Sequence, residues 1–160
     1  MLRTESSVDC SVLSPQHSVL FLVRLLCFQA KRFWWKTFEK TLPGAPDQEV
    51  EREVSEAVVA FVHVEKSDAD PDRAASTFRQ ALKHLKWLAN KRELRTVVLH
   101  SFTHLGADSG APEAAAEMLH RLAERLAETG YEAHVTPFGY LNEWDLSVYG
   151  ESLAKVWKQI

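Results

Sequence analysis

At 160 residues, 46% hydrophobic and 26% charged, the chain has the size and composition of one soluble domain built around one core. A formal charge of -3 and a pI near 6.2 exclude a uniformly basic, nucleic-acid-coating protein. The mean hides alternating fields. Cations prevail from Val23 to Leu42, carboxylates from Asp47 to Asp72 with only Arg52 and Lys66 against them, and cations again from Arg73 to Arg95.

The first 17 residues carry no helical or strand period, and residues 1–22 are expected to form a disordered extension ahead of a domain over 23–160. The apolar run Ser18–Phe28 imitates a signal-peptide core. Arg24 interrupts it, Glu5 and Asp9 precede it and no small-residue cleavage site follows, so secretion and membrane insertion are both rejected. Cys10 and Cys27 stand in unrelated contexts. Neither a disulfide nor a zinc site is expected, and a reducing cytoplasm is the simplest location.

Val19 to Phe28 suits a buried strand, and Arg32–Phe38, with its Trp34-Trp35 pair, is expected to return beside it as a hairpin. Leu42–Asp47 is a loop by its turn residues. The acidic Gln48–Ser55 leads into Ala57–Glu65, a nearly continuous apolar run that predicts a central strand. Asp70 is the expected cap and Pro71 the first turn of a helix reaching Asn90. Its periodicity turns Phe78, Leu82, Leu85 and Ala89 inward, puts Arg79, Lys83 and Lys86 on the neighbouring stripe and leaves Trp87 opposite. Thr96–His100 predicts a strand. Pro112–Thr129 predicts a second amphipathic helix stopped by Gly130, with Ala115, Met118, Leu119, Leu122 and Leu126 inward. Glu132–Thr136 and Glu143–Tyr149 are expected strands, and Glu151–Lys158 a closing helical turn. The order predicts an α/β (α+β) domain: mixed sheet layers packed with two main helices.

No phosphate-binding loop, dinucleotide fingerprint, zinc-protease helix or serine-hydrolase elbow occurs. His100 and His104 are four apart, but they leave a strand, so the metal-pair logic of one helix face fails. His63 and Glu65 alternate to one face of a strand, as a proton relay or as a solvated strand end. His104 lies where a strand terminates, as a functional group or as a capped core histidine. In Thr136–Trp144, TPFGYLNEW, Gly139 would let a ligand approach the backbone, or the segment is an ordinary hairpin entry with aromatic core residues. The residues alone reach a soluble α/β domain with a possible pocket of Val64, Glu65, His104 and Phe138–Asn142.

At these same residues the chain resembles the N-terminal editing domain of archaeal threonyl-tRNA synthetases, a family related in fold to D-aminoacyl-tRNA deacylase. The landmarks are Ala60–Lys66 (AFVHVEK), Ser101–Leu105 (SFTHL), Ala133–Tyr140 (AHVTPFGY) and Gly150–Ala154 (GESLA), spaced as in the family. The resemblance implies a deacylase hydrolysing mischarged aminoacyl-tRNA, serine on tRNA(Thr) first, without cofactor or metal. It further implies a cytoplasmic homodimer with no membrane partner. With no aminoacylation body in 160 residues, action in trans is expected.

By the same resemblance Val64 and Glu65 hold the terminal adenosine and aminoacyl group, His104 faces the amino-acid side chain, and Phe138, Gly139 and Tyr140 shape the adenosine end. Two departures stand out. A tyrosine and a lysine of the family are here Leu141 and Asn142, and a family glutamate is here Lys155. The expectation is that Lys155 stands in for the missing ammonium, and that Asn142 still places water by hydrogen bonds. Competing readings are a catalytically weakened module binding tRNA or threonyl-tRNA synthetase, and a metal-dependent hydrolase built on His63, Glu65, His100 and His104. Arg79, Lys83 and Lys86, with Lys31, Arg32 and Lys36, either meet tRNA phosphates or form a solvated face. An alternative reading takes Trp87 and the Trp34-Trp35 pair as a dimer surface, and the sequence does not choose between them.

Overall fold

Residues Val23–Lys40 form a single 18-residue strand, β1, in place of the expected hairpin. A tight reversal needs turn residues, and Gln29-Ala30-Lys31 supplies no glycine, proline or asparagine, so the chain runs straight on. The computed structural model describes residues 23–65 and 71–160. The expected N-terminal extension, Cys10 and the Asp70 cap lie outside the described residues. The chain continues through β2 (Glu51–Val64), α1 (Pro71–Asn90), β3 (Thr96–Ser101), α2 (Pro112–Glu128), β4 (Glu132–Val135), β5 (Tyr140–Val148) and β6 (Lys155–Gln159). The expected C-terminal helix shrinks to one 3-10 turn, Ser152–Ala154. Beyond it the chain rejoins the sheet as β6, pairing with the bare edge of β1 from Arg24 to Phe28.

The sheet order is β4-β3-β2-β1-β5, with β6 also on β1. β2, β3 and β4 are parallel, joined by the crossover helices α1 and α2, whereas β1 is antiparallel to all its neighbours. Both helices cover one face, where Leu85 and Leu88 of α1 and Leu119 and Leu122 of α2 close on Leu25, Val58 and Leu99. Full burial of each such side chain contributes about 1.5–3 kcal/mol. The inward stripes run close to expectation, although Leu82, Ala115 and Met118 are only half-buried.

The other face has no helix and buries itself. β1 and β2 both change faces near Lys31 and Glu56: Leu26 and Phe28 precede the switch, and Phe33 and Trp35 follow it on the same core. Glu56 takes a left-handed φ of 53° there, its carboxylate accepting from the Tyr149 hydroxyl, with Lys31 and Arg92 over the Tyr149 ring. Beyond this kink the sheet folds over itself. Phe61 pairs with Leu26 and Trp144 with Trp35, positions that a flat sheet would hold about 30 Å apart. Their rings nevertheless lie 5.3 Å apart. A second core of Phe33, Trp35, Val59, Phe61 and Val98 fills the fold, and its open end lies where the parallel strands finish. Open α/β sheets place ligands at that end.

Candidate functional site

A cavity of about 470 Å³ opens there. Val64 at the end of β2, His104 beyond β3 and the run Phe138–Asn142 entering β5 all line it. The two stretches SFTHL and TPFGY are brought together because β3 and β4 are parallel neighbours, paired up to Leu99 and Val135. Both therefore leave the sheet side by side. Gly110 docks across the end of β2 by donating to the Val64 carbonyl at 2.8 Å, and Pro112 and Ala115 bring the first turn of α2 to the cavity. No side chain caps that helix end, so its amide dipoles add partial positive charge to the wall.

Glu65 and Lys155 do not line the cavity. Glu65 turns back to an ion pair with Arg24, both largely buried. Lys155 is exposed and donates to the carbonyls of Tyr149 and Gly150 at 3.0 and 3.3 Å. Its ammonium is committed to the turn before β6, which corrects the expectation that it replaces a catalytic lysine. We expect Lys155→Ala to leave ester hydrolysis unchanged, as single-turnover rates on a mischarged tRNA would register; a large rate loss would restore Lys155 to the site.

Asn142 does reach the cavity, its amide donating to Pro137 and Tyr140 carbonyls at 3.4 and 3.3 Å. Its Oδ1 is buried and left without a donor, an acceptor with unused capacity beside the cavity. Gly139 serves a different purpose from the expected one. Its φ of 81° favours glycine, and an added Cβ would fall 2.8 Å from the Ala45 Cβ and 3.1 Å from the Leu42 Cβ. The 42–45 loop, rather than a ligand, occupies the space, and Gly139 O accepts from the N–H groups of Thr41 and Leu42. Tyr140 also serves the wall, donating to Pro46 O and accepting from Gln48 N.

The histidines separate. His63 is fully buried rather than at a solvated strand end, with Nε2 3.4 Å from Ser109 Oγ. His104 sits at the exposed rim, its ring edge-on to Phe102 at 5.2 Å. His100 lines the cavity, 7% exposed among Phe61 and Phe102, with Nδ1 2.8 Å from Thr136 Oγ1. Burial pulls its pKa down to about 4, so it is a neutral hydrogen-bonding group at pH 7. The sequence presents His100 only as a candidate metal ligand, and Thr136 and Trp144 only as the ends of the TPFGYLNEW stretch, without individual roles. The register of two adjacent parallel strands was the signal for the first two, and it is not visible until the strands are paired. Cys27 is equally unavailable as a nucleophile, burial pushing its thiol up to about 12.

Two surface expectations also change. Trp35 is 1% exposed and cannot mark an interface, whereas Trp87 remains 42% exposed beside Lys91. Arg32 is held by Glu53 and Asp145, leaving Arg79, Lys83 and Lys86 around Trp87 as the basic patch of α1. Among the described residues no helix is long and apolar enough to cross a membrane.

Comparison with known proteins matches residues 23–160 to the model of the archaea-specific editing domain of threonyl-tRNA synthetase. The threonine–tRNA ligase of Thermococcus kodakarensis is 30% identical over 86% of this chain and 22% of its own, and that of Hyperthermus butylicus is 30% identical over 84% and 22%. The chain thus spans about a fifth of the length of these relatives. Among solved structures, the c-Myc DNA unwinding element binding protein superposes with a TM-score of 0.59 at 8% identity, covering 84% of this chain and 97% of that one, which shows a shared D-aminoacyl-tRNA deacylase-like fold. With fold, landmarks and family match in agreement, the chain belongs to the archaea-specific editing-domain family of threonyl-tRNA synthetase.

Proposed function

We propose that the chain hydrolyses the ester of a mischarged aminoacyl-tRNA, serine on tRNA(Thr) before others. The observation that carries this reading is the cavity between the ends of β2, β3 and β4, walled by the SFTHL and TPFGY stretches that are among the landmarks of the resemblance. The chemistry explains the need. Serine is threonine less a methyl group, a difference worth about 1–3 kcal/mol of discrimination, so a synthesis site requires a second, hydrolytic one. The cavity offers few charged groups, so the protein contributes placement of ester and water. The terminal ribose supplies its 2′-hydroxyl, His104 faces the amino-acid side chain, and Asn142 Oδ1 holds the attacking water. Hydrolysis requires no aminoacylation module, so we expect it in trans on tRNA charged elsewhere, in the cytoplasm. The edge formed by β5, unpaired among the described residues and with Leu141 and Trp144 exposed, suits a homodimer contact, and the α1 patch suits tRNA phosphates.

Seryl-tRNA(Thr) incubated with the purified chain should lose serine well above the spontaneous rate, and Asn142→Ala should slow that loss by about tenfold, the effect of one lost hydrogen bond. Leu141 and Asn142 favour a second reading, a module that binds tRNA or threonyl-tRNA synthetase without hydrolysis. Binding accompanied by ester loss at only the spontaneous rate would establish that reading and remove the first.

A further inference from the structure

Behind the Thr136–Phe138 segment lies a second cavity, also of about 470 Å³, which shares Thr136, Pro137 and Phe138 with the first. Its wall is made by Trp35, Gln48, Arg52, His120 and His134 among apolar and backbone groups, with no carboxylate. Arg52 is out of pattern. Val50, just before β2, and Val54 within it pack on the aromatic core on either side of Arg52, whereas Glu51 and Glu53 meet Trp34 and Arg32 on the opposite face. Strand alternation therefore puts Arg52 on the core-side face of the ladder, directly across from Trp35, with its side chain exposed at the edge of the cavity.

Arg52 has no carboxylate partner among the described residues. Its Nη1 lies 3.4 Å from His134 Nδ1. A guanidinium only donates, so Nδ1 accepts, and the opposite nitrogen, Nε2, donates to Glu132 at 2.7 Å. Glu132 and His134 thereby orient the guanidinium. Beside it the Trp35 indole N–H, on a side chain 1% exposed, has no acceptor. A fork-shaped cation held by His134, with His120 beside it on the wall and no carboxylate, borders an empty volume. That is the chemistry of a phosphate diester site.

Resting on the reading of the first cavity as the terminal-adenosine site, we propose that the second cavity holds the phosphodiester and sugar of the preceding nucleotide, so that an RNA 3′ end straddles the Thr136–Phe138 wall. Backbone phosphate contacts position a nucleic acid without reading its sequence, so this subsite fixes the ester in the first cavity whatever body of tRNA follows.

The test compares two non-hydrolysable ligands by calorimetry: 3′-serylamino-3′-deoxyadenosine and the same nucleoside extended at its 5′ side by a cytidylyl group. The extension is expected to tighten binding about tenfold in the wild-type chain, as one charge-assisted contact does, and to shift the Trp35 indole N–H resonance, assigned with Trp35→Phe. Arg52→Gln should abolish the gain and leave nucleoside affinity unchanged. His134→Leu, which removes the acceptor orienting Arg52, should reduce the gain and serves if Arg52→Gln folds poorly. An extension that adds nothing, or a gain that survives both substitutions, overturns the proposal. If the nucleoside alone does not bind, the reading of the first cavity falls. A dinucleotide that then still moves Trp35 in an Arg52-dependent manner upholds the second cavity, and one that does not overturns both.

Discussion

Trp35→Ala is expected to destabilise the fold by about 3–5 kcal/mol, the cost of emptying a large aromatic site in a packed core. Trp35 is the largest fully buried side chain, stacked on Phe33 at 5.4 Å and edge-on to His134 at 6.0 Å. It lies where the folded-over half of the sheet meets the parallel half, so its loss removes contacts on both sides. One effect opposes this. The indole N–H is buried without an acceptor, and such a donor costs roughly 1–3 kcal/mol, which truncation relieves. Trp35→Phe separates the two, because it keeps the ring and deletes the donor. Denaturant unfolding should place the phenylalanine variant close to the wild type and the alanine variant several kcal/mol below. An alanine variant within about 1 kcal/mol of wild type would mean that the two halves are not held through this residue.

The parts of the fold legible in the sequence were those with a period. The Phe78, Leu85 and Ala89 stripe and the Leu119, Leu122 and Leu126 stripe located both helices and their buried faces, and the apolar run from Ala57 located the central strand. The failures lay where long-range pairing outweighs local pattern. Nothing between Phe28 and Arg32 turns the chain, yet the aromatic Arg32–Phe38 segment looked like a partner strand, and its buried Phe33 and Trp35 have the opposite parity to Leu26 and Phe28. The kink at Lys31 and Glu56 reverses that parity while one strand continues. Glu151–Lys158 looked helical in isolation, yet only Ser152–Ala154 turns, and Lys155–Gln159 is a strand because β1 has an edge left for it.

The candidate site divides in the same way. Val64, His104 and Phe138–Asn142 were found because strand ends and a glycine-bearing turn are local signals. Gly139 was read for the wrong reason, since the neighbour filling its missing Cβ comes from residues 42–45, a contact that composition does not announce. Arg52 was visible, with Lys66, as a cation in an acidic run, but its place on the core-side face of the ladder emerges only from the register that sets Val50 and Val54 on the core.

Acidification from pH 7 to pH 4 should cost the fold roughly 3 kcal/mol through His100 alone. In the unfolded chain an imidazole titrates near 6.5, whereas burial among Phe61 and Phe102 holds His100 down to about 4. Between those values the unfolded state binds the extra proton. The contribution is therefore complete above about pH 6.5, falls as pH drops through the window, and is exhausted below about 4. Other groups also titrate over this range, so the wild-type slope alone does not isolate the residue. His100→Gln does, because it cannot be protonated and its amide can still meet Thr136 Oγ1. Unfolding free energies at pH 7 and pH 4 should fall by roughly 3 kcal/mol less in the variant than in the wild type. Equal losses would show that His100 accepts its proton in the folded state. They would also restore a charged imidazole to the cavity, with a role in hydrolysis that the neutral group does not have.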